Sequence, residues 1–345
     1  MEISSENKVS LICITPTRND IWVIERFLKA ASLWADYIVI ADQMSTDGSR
    51  DIIRSCPKAI LVDNDCETYN ELGRKRLLID AARKIPGDKV LIALDVDEMF
   101  SPEVFTSGEL ETIKKLPKGT AVDFQWANFT ANAQGMWYGY YFPWGYVDDG
   151  LEQYDEDISD TAIHCARVPI SGNTPHYRAK SFKVIHFQYT DWDRMKHKHY
   201  MYQCQEVLSN PGKSAIEIYR QYHHMDTLED KDMLEIPTEW ITYYLKLGID
   251  ILKVEKEEVY WYDHITLRMM LENGAVKFRK ISIWEEDWRE IAKLSMKDIK
   301  STVFLDPRNF YDRLVQAWMR WSQDKMSNKN VRRIDRIVNK LYGNV

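Results

Sequence analysis

Several signals of common protein classes are missing from this 345-residue chain. It has no Gly-x-Gly-x-x-Gly fingerprint and no glycine-rich loop ending in Lys-Ser/Thr, which argues against a dinucleotide fold and a P-loop. The five cysteines include no Cys-x-x-Cys pair, so we expect neither a disulfide framework nor a zinc site. The formal net charge of -7 argues against a general nucleic-acid-binding protein, which is usually basic.

Long apolar segments are also missing. No uncharged apolar run approaches the ~20 residues of a membrane-spanning helix. Residues 1–9 are polar and acidic, without the apolar core of a signal peptide. We therefore expect a cytoplasmic protein with reduced cysteines. Aromatic residues, in contrast, are abundant, with 12 Trp and 19 Tyr, and they supply either a large core or flat surfaces for ring-shaped ligands.

Short apolar runs that alternate with helical patterns fill the first hundred residues. The runs cover residues 9–15, 37–41, 59–62 and 90–94, and continuous apolar runs of this length are typical of strands buried on both faces. Their alternation with helices predicts a parallel sheet with right-handed crossovers. We expect an α/β nucleotide-binding domain over residues 1–208 and a mainly helical region over residues 209–345, where helical patterns alternate with short loops.

Polar side chains follow every one of these runs. Arg18 follows the first, Asp42 the second, and Asp95 and Asp97 the fourth. Because the carboxyl ends of parallel strands meet at one edge of a sheet, we expect these side chains to line one crevice of nucleotide size. Adjacent acids at the end of a buried strand need a positive partner. Carboxylate oxygens favour Mg²⁺ or Mn²⁺ in that role.

The segments after these strands resemble those of family 2 glycosyltransferases with the GT-A fold. The matching segments are residues 15–19, 42–49, 70–76 and 94–98 with Pro102 and Glu103, and downstream His186-Phe187-Gln188-Tyr189 with Arg194, Lys198 and Tyr200, as in one bacterial branch. The resemblance covers about the first 205 residues. It implies a GT-A mixed sheet and an inverting transferase. The donor would be a nucleotide diphosphate sugar, usually UDP-linked. The acceptor would be a saccharide or a lipid-linked sugar, as in bacterial surface polysaccharide synthesis.

The same resemblance assigns roles around the donor. Asp42 would read the base, and the loop after the first strand would line base and ribose. Arg76 and, less firmly, Arg74 would approach the diphosphate, although both also suit a solvated helix face. The predicted donor-binding set is Thr15, Pro16, Thr17, Arg18, Asp42, Asp47, Arg74, Arg76, Asp95 and Lys198.

Three residues form the predicted metal site. By resemblance, Asp95 would face both ribose and Mn²⁺ or Mg²⁺, and Asp97 would be the firmer ligand. His186 would be an additional ligand. A single histidine in a strand is otherwise more often a hydrogen-bonded structural residue.

The acceptor side is less sharply defined. An inverting transfer needs a general base on the acceptor hydroxyl. Asp149 and Asp157 rank nearly level for that role, within an acidic run that also suits a solvated loop. His164 would line the same site or act as the base itself. The aromatic segment 137–146 suits neither a regular helix nor a simple alternating strand. It predicts either a loop packed over the core or a stacking wall for the acceptor sugar, with Trp137 and Trp144 as candidates.

The last twenty residues form a basic amphipathic helix. Its apolar stripe would either pack on the body of the protein or lie on an anionic membrane face. Two other functions remain alternatives. A nucleotidyltransferase would need a glycine-rich loop after the first strand, and residues 15–19 contain no glycine. A non-catalytic sugar-binding protein on the same scaffold would not need the intact Asp95 and Asp97.

Overall fold

The computed structural model describes residues 9–66, 70–151, 166–227, 233–295 and 301–345. It divides into two compact units. The first comprises Met1–Asp191 with Leu234–Glu255, and the second comprises Trp192–Met233 with Lys256–Val345. The second unit thus begins before the predicted boundary at residue 208, and a later segment returns to the first unit.

The first unit is built on a mixed sheet. Its strands in the described part of the chain are β1 Ser10–Thr17, β2 Tyr37–Asp42, β3 Ala59–Asp63, β4 Lys89–Ala93, β5 Glu98–Phe100, β6 Ala121–Phe129, β7 Met136–Val147, β8 His176–Arg178 and β9 Val184–His186. They pair in the order β3-β2-β1-β4-β7-β6-β9-β5, with β8 beside β6. β1 to β4 are parallel, whereas β7 runs antiparallel to β4. The predicted class, a mixed nucleotide-binding sheet flanked by helices with a helical C-terminal part, is confirmed.

The helices in the described part are α1 Ile24–Ala31, α2 Ser49–Ser55, α3 Glu71–Arg83, α4 Glu109–Ile113, α5 Trp192–Ser209, α6 Ala215–Tyr222, α7 Thr238–Lys246, α8 Trp261–Asn273, α9 Trp288–Ser295, α10 Phe310–Ser322 and α11 Lys329–Tyr342. Among these residues, no helix combines the length and the apolar character needed to cross a bilayer.

Burial on both faces explains the continuous apolar strands. Ile12 and Leu91 belong to one core, with Leu78 of α3. Their strand neighbours Cys13 and Ile92 point to the other core. Because both faces of these strands are covered, every position favours an apolar side chain, and the polar residues are left to the strand ends.

The aromatic segment 137–146 is a strand, so the prediction of an irregular loop there was wrong. β7 pairs along β6, and the register shifts between Val122 and Asp123 and between Gln125 and Ala127. Tyr138 and Tyr140 are exposed, whereas residues 144–147 are buried between β4 and β6. The register shifts and the change from one covered face to two remove the simple alternation that marks a strand in a sequence.

Gly145 provides a test of this close strand packing. An added Cβ would lie 2.7 Å from Val122 Cβ and 3.1 Å from the Phe124 ring. We expect Gly145→Ala to lower the free energy of unfolding by about 1–3 kcal/mol because the strands must separate. Urea denaturation measures this. Gly172→Ala is the control, since nothing lies within 4 Å of that Cβ. Equal stabilities of the two variants would contradict the packing of β7 on β6.

His199 in the second unit predicts a pH dependence. Burial, with repulsion from Lys198, lowers its pKa from 6.5 to about 3, and its ring Nδ1 donates to the Tyr222 carbonyl at 3.1 Å. Below pH 6.5 the unfolded chain therefore binds a proton that the folded chain does not, and stability falls as the pH drops. Between pH 7 and pH 5 this residue should cost about 2 kcal/mol.

Chemical denaturation of wild type and His199→Gln at both pH values measures that contribution. The variant should lose about 2 kcal/mol less than wild type on acidification. His224→Gln is the matched control, because His224 is exposed. If the two variants respond alike to pH, His199 is not buried in its neutral form.

Candidate functional site at the carboxyl edge of the sheet

The carboxyl ends of β1, β2 and β4 bring the predicted acids to one edge. Thr17 on β1 pairs with Asp42 on β2, and Ile14 pairs with Ala93 on β4. Asp95 follows Ala93 by two residues. Asp42 and Asp95 are therefore separated by two strand spacings, roughly 10 Å at ~4.8 Å per strand. The strand register thus places these acids along one edge of the sheet.

Hydrogen bonds join the loops after β1 and β2. Asn19 N donates to Ser45 Oγ at 2.8 Å, and Thr46 N donates to Asn19 Oδ1 at 2.8 Å. Asp47 accepts from Ile21 N at 2.8 Å and from Ser49 N at 2.9 Å. In this arrangement Asp47, a predicted donor contact, holds the two loops together.

Asp42 lies at the carboxyl end of β2 and is fully buried. Its Oδ2 accepts from Arg50 Nη1 at 2.5 Å and from Ser45 N at 3.2 Å. Arg50 also reaches Asp63 at 2.5 Å, so it bridges the ends of β2 and β3. Asp42 Oδ1 is buried and has no hydrogen-bond partner within the described ranges. An acceptor left in this state is costly.

The remaining residues of the first loop are partly structural. Thr15 and Thr17 are buried, and Thr17 Oγ1 donates to Asp20 Oδ2 at 2.9 Å. Arg18 N donates to the same carboxylate at 3.0 Å. Pro16 pairs with Ala41 in the sheet. Asp20 therefore shapes the turn that presents residues 15–18 at the rim.

The positive partner expected among the acids after β4 is Arg167. Its Nη2 lies 2.6 Å from Asp95 Oδ2, and its Nη1 lies 2.6 Å from Glu98 Oε2. It also donates to the Ala93 carbonyl at 3.3 Å, and the Trp144 ring lies 4.6 Å away. The sequence analysis predicted a cation here but did not identify Arg167. The signal was present, since Arg167 is the first arginine after the acidic run 148–160.

Glu98 is the most deeply buried of these acids. It is 1% exposed, and besides Arg167 it accepts from Trp126 Nε1 at 2.9 Å and from Asp95 N at 3.0 Å. Burial raises the pKa of Glu98 to about 7, although Arg167 opposes the rise. For Arg167, burial alone would lower the pKa, but the adjacent Asp95 and Glu98 outweigh it and raise the value. The guanidinium is therefore a fixed positive charge.

Asp97 and His186 form the second half of the site. Asp97 Oδ2 and His186 Nε2 lie 3.8 Å apart, and both side chains are buried. His186 Nδ1 donates to Asn128 Oδ1 at 2.8 Å, which leaves Nε2 as the ring nitrogen that faces Asp97. The Trp126 ring stacks on the imidazole at 4.7 Å. Orientation by a hydrogen bond at the other nitrogen is typical of metal-binding histidines.

A carboxylate and an imidazole suit Mn²⁺ well. Asp97 and His186 therefore fit the predicted metal, whereas Asp95 is held by Arg167. In the parts of the chain that the structure describes, no three His, Cys, Asp or Glu side chains converge as a metal cluster. Two of the three predicted ligands are thus brought together, and the third faces an arginine.

The structure does not bring Asp149 to this edge. β7 is antiparallel to β4 and pairs Val147 with Val90, and Asp148 N donates to the Lys89 carbonyl at 3.0 Å. Asp149 follows at the amino end of β4, the full length of that strand from Asp95, and its Oδ1 accepts from Leu151 N. Asp149 therefore lies too far from Asp95 to act as the general base at this edge. Asp157 and His164 lie outside the described residues.

The other predicted contacts are spread more widely. On α3, Arg74 is paired with Glu71, and Arg76 is exposed. Trp137 is half-buried, with the Tyr189 ring at 5.0 Å. Trp144 is buried against Phe142 and Arg167. It therefore contacts the arginine that pairs with the acids. Lys198 lies on α5 in the second unit.

Comparisons with known proteins do not assign a family. No protein-family model matches the chain, and no curated protein matches it. One similar solved structure is 4-diphosphocytidyl-2C-methyl-D-erythritol synthase from Anaerococcus prevotii, with a TM-score of 0.25 and 16% identity over 34% of this chain and 55% of that one. A second structure of 4-diphosphocytidyl-2C-methyl-D-erythritol synthase has a TM-score of 0.29 and 10% identity, over 70% of this chain and 99% of that one.

The chain therefore spans only about half the length of the first of these structures. Similarity at this level says nothing about activity. The resemblance to family 2 glycosyltransferases rests on the sequence segments alone.

The Arg167 ion pairs can be tested through stability. Arg167→Met removes the partner of a buried carboxylate, and we expect a loss of about 3–5 kcal/mol in the free energy of unfolding. Adding Glu98→Gln should recover part of that loss, because the buried charge is then removed as well. The control is Arg178→Met, an exposed arginine beside Tyr141, with an expected change within about 0.5 kcal/mol. Additive effects of the two site substitutions would show that Arg167 and Glu98 do not interact.

Proposed function

We propose that this chain is a metal-dependent inverting glycosyltransferase that moves a sugar from a nucleotide diphosphate donor, with UDP as the nucleotide, to a saccharide or lipid-linked acceptor. The observation that carries the proposal is the convergence of Asp42, Asp95, Asp97 and His186 along one edge of a single unit. The sequence resemblance supplies the reaction class. A cytoplasmic location fits a nucleotide-sugar donor.

The base end of the proposed donor site is Asp42. Its buried and unsatisfied Oδ1 suits a ring N–H donor such as that of uracil. Arg50 fixes Asp42 from the other side. Because Asp42 is fully buried, binding of a base requires the side chains that cover it to move.

The diphosphate end lies at Asp97 and His186, which we propose as ligands of Mn²⁺ or Mg²⁺. When bound, a divalent ion supplies positive charge to the two donor phosphates and to the leaving diphosphate. Arg167 keeps Asp95 and Glu98 neutralised and oriented, so that repulsion among the acids does not open the site. Trp126 and Asn128 fix the His186 ring.

The general base is proposed to come from the segment that precedes Arg167. Asp157 and His164 are the candidates from the sequence. Both lie outside the described residues, so the sequence alone supports them. The task of the base would be to accept the acceptor hydroxyl proton as the oxygen attacks the anomeric carbon.

Donor binding and turnover test the proposal. Isothermal titration should show UDP binding that requires Mn²⁺, and a panel of UDP- and GDP-sugars should yield one donor that releases nucleoside diphosphate. Asp97→Asn should reduce this release by on the order of 100-fold, because ligation of the ion is weakened. Asp149→Asn is the matched control and should retain the wild-type rate, since its carboxylate lies at the opposite edge.

The same assays separate the alternatives. A nucleotidyltransferase would consume a nucleoside triphosphate and release pyrophosphate. A non-catalytic module would bind sugar without metal and without turnover. Wild-type activity in Asp97→Asn with metal present would refute the assignment of the metal site.

A further inference from the structure

The last two helices of the second unit form an antiparallel pair. The Tyr311 ring of α10 lies 5.6 Å from Tyr342 of α11, and Trp318 Nε1 donates to Asp335 Oδ1 at 2.9 Å. Later residues of α10 thus meet earlier residues of α11. Arg220 of α6 reaches Asp335 and Ser322 from the other side of the pair. One side of the pair is therefore fixed by α6.

The side of the pair away from α6 is apolar and exposed. We call it the exposed apolar strip, and it consists of Phe310, Leu314 and Trp321 on α10 and Ile334, Ile337 and Leu341 on α11. Phe310 is 83% exposed, Leu341 71% and Trp321 58%. In each helix the strip residues follow helical spacing and lie beside the row that contacts the partner helix.

Handedness places both rows on the same side. For antiparallel right-handed helices, Leu314 and Trp321 lie three residues after the contacts Tyr311 and Trp318. Ile334 and Leu341 lie one residue before the contacts Asp335 and Tyr342. Because an α-helix turns by about 100° per residue, both offsets rotate the strip residues away from the contact row in the same sense about their own helix axis. On two antiparallel helices that face each other, rotation in the same sense turns both rows to the same surface. The predicted apolar stripe of α11, residues Val331, Ile334, Ile337, Val338 and Leu341, is therefore divided. Val331 is buried and Val338 half-buried, whereas Ile334, Ile337 and Leu341 are exposed.

Positive charge borders this strip. The exposed basic residues of α11 are Lys329, Arg332, Arg333, Arg336 and Lys340. Arg332 and Arg336 line a cavity beside α6 with Arg220, whereas Arg333 and Lys340 lie on other sides of the helix. The one acid of α11 is Asp335, which is buried and paired with Arg220. On α10, Arg313 and Arg320 pair with Asp306 and Glu285 and add no net charge. In a chain with a net charge of -7, this face concentrates positive charge beside apolar side chains.

We propose that the exposed apolar strip docks on an anionic lipid bilayer, with Ile334, Ile337, Leu341 and the α10 residues inserted among the headgroups and the basic residues on phosphates. A helix face with apolar residues flanked by Lys and Arg is the arrangement that lies in a membrane interface. Negative surface potential attracts unpaired basic residues. A neutral surface would leave the α11 cations uncompensated. This inference does not depend on the proposed transferase activity.

Vesicle co-sedimentation of the full chain tests the proposal. Phosphatidylcholine vesicles containing phosphatidylglycerol should retain the wild-type protein, and pure phosphatidylcholine vesicles should retain much less. Ile334→Glu/Leu341→Glu should reduce the partition coefficient by about tenfold or more, because apolar insertion is lost. Arg333→Glu/Lys340→Glu should reduce it by a similar factor and weaken its dependence on salt.

The matched control lies on α7 in the first unit. Leu245→Glu/Lys246→Glu changes one exposed leucine and one exposed lysine and should leave the partition unchanged. Circular dichroism confirms folding of every variant, as all the substituted side chains are exposed. Equal retention of wild type and the strip variants would overturn the proposal. So would a wild-type dimer that the strip variants dissociate, with no retention on anionic vesicles, since the strip would then join two copies.

Discussion

The candidate site depends on the burial of one guanidinium among carboxylates. Arg167 contacts Asp95 and Glu98 and covers the Trp144 ring, so the chain after residue 165, the end of β4, β5 and β7 meet at one charged centre. Without that cation, Glu98 would be a buried charge opposed only by a tryptophan N–H and a backbone amide, a state that costs several kcal/mol. The same ion pairs therefore hold the acids in position and stabilise the fold around them.

Strand direction decides which sequence expectations were met. Asp42, Asp95 and Asp97 follow parallel strands, and for parallel strands the order along the chain fixes the edge of the sheet. The edge of the sheet at which those residues lie could therefore be predicted from the sequence. Asp149 follows a strand that returns antiparallel beside β4, so its distance along the chain from Asp97 gave no information about the edge. Counting residues to a general base works only when the intervening strand directions are known.

The aromatic strand and Arg167 were missed for a related reason. β7 is exposed near Tyr138 and Tyr140 and buried from Trp144 onward, and no single period describes such a strand. Arg167 lies outside any regular element, and its importance comes from Asp95 and Glu98, which are about seventy residues earlier. Local patterns identify elements and polar strand ends. They do not identify which distant cation a buried acid recruits.

Charge balance connects Arg167 with the proposed metal. Asp95 and Asp97 face a single cation, Arg167, and Glu98, whose pKa is raised to about 7, adds a further negative charge only in its ionised form. The carboxylates therefore outnumber the guanidinium, and the divalent ion proposed at Asp97 and His186 would oppose that excess. The rise in the pKa of Glu98, caused first by burial and then by the nearby Asp95 and Asp97, shows the same excess of negative charge. The described part of the site thus carries more carboxylates than cations.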